Sequence, residues 1–307
     1  FFTSYRAEQR IFMTHVDRLL FTCLLVMLFV WPLLFEVGNK YMLVIDSILI
    51  SIVAVYGLNL LTGFAGLISI GHAAFVGVGA YTLASFSRIL GYDHVLLTHF
   101  WPLMILVAGV VGAVIGAIVG LPSLRLKHLY LVIATLSFQM IFQWIINFSK
   151  FFNQGQTISI GRVFWFTGKV VRKEHYFFWY YVILVFVVVL GFAVRNLLRS
   201  KYGRCLVAVR DNDRAADAMG MHPGFTKVYA FGLAGFLAGI AGALHAYLYR
   251  GVGIESFTLH HSISYLAMAI VGGLGRIEGV GPRAVRRWGR EILRLVRRPV
   301  LRIRRGR

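Results

Sequence analysis

Two stretches of this chain run for about the width of a bilayer without a charge. Residues 19–35 (LLFTCLLVMLFVWPLLF) are uncharged over seventeen positions, and 177–194 (FFWYYVILVFVVVLGFAV) over eighteen. A chain inside hydrocarbon must satisfy its backbone internally, and a helix that does so needs about 20 apolar residues to cross. Six further apolar segments follow the same pattern, giving candidate spans at 19–35, 41–58, 72–90, 101–120, 129–148, 177–194, 226–249 and 263–280. Composition agrees: 14% of the residues are charged, against about 25% in a soluble domain, and 58% are hydrophobic. The expected fold is all-α, a polytopic integral membrane bundle of about eight transmembrane helices. The first apolar run lacks a small-residue cleavage site and is followed by further spans, so it reads as a signal-anchor helix.

The basic residues orient these spans. Lys and Arg accumulate on cytoplasmic loops, and that bias accounts for the net charge of +20 without a nucleic-acid partner. Arg6, Arg10 and Arg18 lie in the head (1–18), Arg125 and Lys127 in the 121–128 turn, and seven basic residues against three acids in 195–227. All three segments are cytoplasmic if both termini are inside. The 149–176 segment objects, since it carries Lys150, Arg162, Lys169, Arg172 and Lys173 on the outer side. Residues 276–307 hold twelve arginines and two glutamates, so half of the net charge sits in the tail. Such a tail suits an anionic lipid surface.

The segment 59–81 (NLLTGFAGLISIGHAAFVGVGAY) is apolar enough for a span yet carries five glycines, each costing a helix about 1 kcal/mol relative to alanine. Asn59, Thr62, Gly63, Gly66, Ser69, Gly71 and His72 cluster here. Gly-rich interruptions at membrane depth are how transporters line a path, because unwound backbone is tolerated only within protein or beside water. A broken helix beside a pathway is therefore expected, with simple close packing as the alternative and His72 as a packing residue. In Gly112, Gly116, Gly120 and Gly235, Gly239 the four-residue spacing reads as helix–helix packing.

What is missing narrows the chemistry. Asp46 is the deepest carboxylate, whereas coupled carriers need a charged relay at membrane depth. No spaced metal motif, nucleophile grouping or GxxxxGK[ST] phosphate loop occurs. Cys23 and Cys205 are far apart and imply neither a metal site nor a disulfide framework. The chain is thus expected to bind no cofactor and to draw energy from a partner. A contact point for one is RSKYGRCLVAVRDNDRAADAMGMHPGF (199–225), where Asp211 or Asp213 is placed to cap a short helix ending at Gly220, before His222-Pro223-Gly224 turns the chain back.

Five runs carry a family resemblance: 57–84 (GLNLLTGFAGLISIGHAAFVGVGAYTLA), 121–138 (LPSLRLKHLYLVIATLSF), 199–221 (RSKYGRCLVAVRDNDRAADAMGM), 231–247 (FGLAGFLAGIAGALHAY) and 255–282 (ESFTLHHSISYLAMAIVGGLGRIEGVGP). In these the chain resembles LivM-type permease subunits of branched-chain amino acid ABC importers, over about 41–282. The resemblance implies a transport subunit, not an enzyme, in the bacterial inner membrane. Its partners would be a second, LivH-like permease subunit, two cytoplasmic ATPase subunits that use ATP, and a soluble or lipid-anchored binding protein that delivers the amino acid. It places an ATPase-docking loop at Arg204, Arg210, Asp211, Ala215, Ala216, Asp217 and Gly220, and path-lining segments at 59–81 and at Gly272 and Gly273 of VGGLG.

The chain departs from that pattern twice. FNQGQTISIGRV (152–163) stands where the family has a TGG-type stretch, and Arg-rich sequence follows GVGP where the family has another apolar span. The tail (283–307) is read as a frame-shifted or truncated end. Two alternatives remain open from sequence: a permease for urea or short-chain amides, which shares this architecture, and a stand-alone carrier or channel.

Overall fold

The computed structural model describes residues 27–30, 39–91, 99–124, 129–160, 164–165, 168–169 and 175–275. Its helices are α1 (Asn39–Asn59), α2 (His72–Leu90), α3 (Trp101–Gly120), α4 (Leu129–Phe148), α5 (His175–Arg199), α6 (Lys201–Asp211), α7 (Asp213–Ala218), α8 (Pro223–Tyr249) and α9 (Leu259–Gly272). Short strands β1 (Ile158–Ser159), β2 (Phe164–Trp165), β3 (Gly168–Lys169) and β4 (Gly251–Val252) lie in the connections. All these elements belong to one unit, Val37–Ile277. The first expected span falls outside the described residues except at 27–30, and the tail wholly so.

Among the described residues, six helices are long and apolar enough to cross a membrane: α1 with the turn that follows it, α2, α3, α4, α5 and α8. The expected last span, 263–280, takes another form. Its helix starts earlier, at Leu259, and stops at Gly272 after 14 residues. That is about 21 Å of helix, short of the ~30 Å hydrocarbon core. The stop is local: Gly273 has φ +95 and Gly275 φ +76, which a continuing helix cannot accommodate.

The core is built on α8, which packs against α3, α2 and α1, while α1 also packs against α5. Small residues make this possible. A Cβ on Gly235 would stand 2.2 Å from the Gly112 carbonyl oxygen, and one on Gly116 2.5 Å from that of Phe231. Gly239 faces α3 at the Ala108 carbonyl, and its own carbonyl oxygen lies 2.1 Å from where a Gly79 Cβ would be. The four-residue glycine spacing of α3 and α8 is thus a packing device. Gly77 and Gly79, expected beside the pathway, do the same work: Gly77 meets Phe142 and Phe257, and every residue from His72 to Tyr81 is buried.

The connections sort onto two ends. At one end β1 pairs with β4 in antiparallel register, Ile158 opposite Val252, and Ser87 Oγ donates to the Ser159 carbonyl. Arg88 donates to the carbonyls of Lys150 and Phe151 there and lies over the Phe151 ring. At the other end lie the 121–124 turn, whose Leu124 reaches Gly224, and the α6–α7 hairpin. Helices α6 and α7 pack on each other, and α6 also on α5 and α8.

Candidate functional site

The helix expected to break does so. After Asn59 the backbone widens into a π-turn over Leu60–Phe64, and residues 65–71 are not helical until α2 starts at His72. Such a segment leaves amides and carbonyls that no regular ladder satisfies. Two are met within the break, where Ala65 N donates to Leu60 O at 3.1 Å and Leu67 N to Leu61 O at 3.0 Å. Gly66 turns the chain at φ +70, a value that suits glycine.

Three further amides, one in the break and two at the start of α2, are met by side chains from other helices. Ile70 N donates to Thr135 Oγ1 at 3.3 Å, Ala73 N to Ser262 Oγ at 2.8 Å and Ala74 N to Gln139 Oε1 at 2.8 Å. Ser262 Oγ also donates to Gln139 Oε1, and Gln139 Nε2 donates to the Phe257 carbonyl at 2.7 Å. Two of the first N–H groups of α2 are therefore capped by α4 and α9. Thr135, Gln139 and Ser262 are fully buried. Sequence reading assigned them no role, although one signal was present: Thr135 and Gln139 share a helix face four residues apart in an uncharged span.

His72 is also buried within protein. Its Nε2 donates to the Ala54 carbonyl at 2.9 Å, which fixes the tautomer, and its ring sits edge-on to Phe75 and Tyr265. Gly57 closes the same corner: a Cβ there would come within 2.8 Å of Ala234 O. The arrangement is that of a packing histidine.

Structure divides the candidate path residues into two groups. Asn59, Thr62, Ser69 and His72 are buried, while Cβ atoms on Gly63 and Gly71 would stand 2.2 Å and 2.1 Å from their nearest neighbours. Gly66 lies beneath Arg210. Gly272 and Gly273 differ, for a Cβ at either meets nothing within 4 Å. Beside them Ile270 and Val271 are exposed, as are Ile263 and Met268 further up α9, and Ile68 in the break is 46% exposed. One polar contact joins the two groups, as Gly275 N donates to Asn59 Oδ1 at 2.9 Å.

The expected docking segment folds as a hairpin of two helices. Its cap is Asn212, not Asp211 or Asp213: the Asn212 side chain accepts from Arg214 N at 3.0 Å and Ala215 N at 3.1 Å. An extended residue directly before the first helical position presents its side chain to those amides, and Asn212 has φ −159, ψ 106. Asp213, one step later, instead pairs with Lys227 near the start of α8. At the far end Gly220 at φ +80 lets its own N–H and that of Met221 return to Asp217 O and Ala216 O. Ala216 is buried, whereas Arg204, Arg210, Asp211, Ala215, Asp217, Met219 and Gly220 are exposed. The motif thus turns one alanine inward and presents the rest.

Arg210 connects the two regions. Its Nε and Nη2 donate to Asp211 Oδ1 at 3.0 and 2.9 Å, and its Nη1 donates to the Gly63 carbonyl at 2.9 Å. No group of three or more metal-ligating side chains occurs among the described residues.

Comparison with known proteins agrees with this architecture. The family profile described as branched-chain amino acid transport system / permease component matches residues 40–284. The chain is 30% identical to the high-affinity branched-chain amino acid transport system permease protein LivM of Salmonella typhimurium, covering 84% of this chain and 64% of that protein. It is 29% identical to LivM of Escherichia coli with the same coverage. A probable branched-chain amino acid transport permease protein LivM of Methanocaldococcus jannaschii is 26% identical over 73% of this chain and 72% of that protein. The chain therefore spans just under two thirds of the length of the two bacterial relatives. No solved structure matches. With its broken second span, glycine-packed core and hairpin of paired short helices, the chain belongs to the branched-chain amino acid transport system permease family.

Proposed function

We propose that this chain is a membrane-spanning subunit of an ATP-driven importer that moves branched-chain amino acids delivered by a separate binding protein. The observation that carries the reading is the α6–α7 hairpin, an ordered structure that keeps only Ala216 of its motif for itself and presents Ala215, Asp217, Met219 and Gly220 outward. A surface ordered by a cap, an ion pair and a glycine stop, yet left uncovered, suits a rigid partner. Two cytoplasmic ATPase subunits are that partner in this reading, and they bind and hydrolyse the ATP. The hairpin end is then cytoplasmic, the membrane is the bacterial inner membrane with both termini inside, and the β1–β4 end faces the binding protein.

The path for the amino acid runs along the open side of α9 and the end of the break, past Ile68, Ile263, Met268, Gly272 and Gly273. A second, LivH-like permease subunit closes the other wall. The buried residues Asn59, Thr62, Ser69 and His72 support that wall from behind. Purification of the tagged chain from mild-detergent membranes tests the reading. Recovery of a P-loop ATPase, lost when 213–220 is scrambled, is the expected outcome. A folded chain that recovers no ATPase would overturn it.

A further inference from the structure

We infer that Arg210 is a positioning residue that transmits movement of the hairpin into the broken span and the end of α9. The inference rests on the importer reading above, and it assigns a role to one contact within it. Arg210 lies in the last turn of α6, yet its guanidinium does not turn back onto the α6 carbonyls as a helix-terminal cation commonly does. It reaches instead to the carbonyl of Gly63, 147 positions earlier.

Three glycines shape the seat it occupies. A Cβ on Gly66 would lie 2.6 Å from Arg210 Cγ, and one on Gly275 would lie 3.5 Å from Nη1 and 3.1 Å from Gly63 O. A Cβ on Gly63 would stand 2.2 Å from both Asn59 Oδ1 and Gly275 N. Arg210, Gly63, Asn59 and Gly275 thus form a continuous chain: guanidinium to carbonyl, then residue to residue through the π-turn, then amide oxygen to amide N–H. It begins in the hairpin, crosses the break and ends beside the open face at Gly272 and Gly273.

Two properties make this a strut instead of a simple cap. The guanidinium is a rigid planar fork, so holding Asp211 with two nitrogens and Gly63 with the third fixes the break relative to the end of α6. The element at the far end is also the one able to move. Another polar link, Asp213 to Lys227, ties the hairpin to a 27-residue helix packed on three neighbours. Residues 65–71 have no helix of their own, so a displacement of Gly63 is absorbed there by rotation of a few backbone angles instead of by moving a whole helix.

The test uses the complete transporter in proteoliposomes, with ATP hydrolysis and uptake of radiolabelled leucine measured on the same sample. For Arg210→Gln, leucine taken up per ATP hydrolysed is expected to fall about tenfold, mid-range for a coupling between sites, whatever the change in ATPase recruitment. Asn59→Leu, which removes the acceptor for Gly275 N, falls in the same way. Unchanged uptake, or uptake, hydrolysis and recruitment falling in proportion, would overturn the inference. If the wild-type chain recruits no ATPase, it is the importer reading that fails. The strut is then read on the chain alone, through maleimide labelling of Gly272→Cys in membranes with Cys23→Ser and Cys205→Ser. Faster labelling on adding Arg210→Gln supports the mechanical link, and an unchanged rate refutes it.

Discussion

Replacing Gly242 with alanine adds one methyl group that this fold has no room for. Its carbon would stand 1.9 Å from Val76 O and 2.8 Å from Ala80 N. Both neighbours are backbone atoms of α2, so no side chain can swing aside, and reaching an ordinary 3.4 Å contact displaces α8 from α2 by about 1.5 Å. A radial gap of 0.5–1 Å already forfeits a quarter to a half of each contact's attraction. Overpacking against rigid backbone then costs about 3 kcal/mol, of which alanine's better helix propensity returns about 1 kcal/mol. The same substitution at Gly232, ten residues earlier in the same helix, meets Ala113 O at 3.6 Å and Ala117 Cβ at 3.8 Å, both ordinary contacts. Gly232→Ala therefore keeps the propensity gain of about 1 kcal/mol, and the pair should differ by about 3 kcal/mol. Fluorescence-detected size-exclusion of heated, detergent-solubilised protein reads this as a gap in melting midpoint on the order of 5 °C. A midpoint for Gly242→Ala at or above that of Gly232→Ala would refute close backbone packing as the reason for the glycine.

Three further outcomes follow from the site. Gln139→Leu removes the shorter of the two acceptors that serve the Ala74 amide and the shorter of the two donors that serve the Phe257 carbonyl, and should cost about 1 kcal/mol in the same melting assay. Asn212→Ala removes the cap of α7, worth about 1 kcal/mol, and should loosen the hairpin in hydrogen exchange, whereas Asn212→Asp should not. Ala215→Arg, at an exposed position, should abolish ATPase co-purification at unchanged melting temperature, while Ala216→Leu, at a buried one, should lower the melting temperature itself.

The crossing helices were legible because apolar length is a one-dimensional signal. Expected spans 72–90, 101–120 and 129–148 share their limits with α2, α3 and α4, and three more differ by a few residues. The end of α9 was not legible by that measure, since VGGLG adds no charge to the apolar run and the positive φ values of Gly273 and Gly275 stop the helix. The hairpin cap was misplaced by one residue for a related reason. Asp211, Asn212 and Asp213 all have capping side chains, and what selects Asn212 is the extended backbone at that position.

Glycine itself marks the limit of the sequence reading. Gly63, Gly66, Gly71, Gly77 and Gly79 look alike as letters, but each answers a different neighbour. Gly79 admits the backbone of α8, Gly77 admits Phe142 and Phe257, Gly71 admits Thr135, Gly66 supplies a positive φ beneath Arg210, and Gly63 makes room for Asn59 and Gly275. Those neighbours come from helices more than fifty residues away in all but one of these contacts, so nothing in the local pattern separates a packing glycine from a turning one. The polar residues were open to a stronger argument. A break at membrane depth creates unpaired amides, and unpaired amides require acceptors that only other spans can supply. Thr135, Gln139 and Ser262 are those acceptors. Uncharged polar residues buried in neighbouring spans are thus a consequence of the break, to be sought wherever a sequence predicts one.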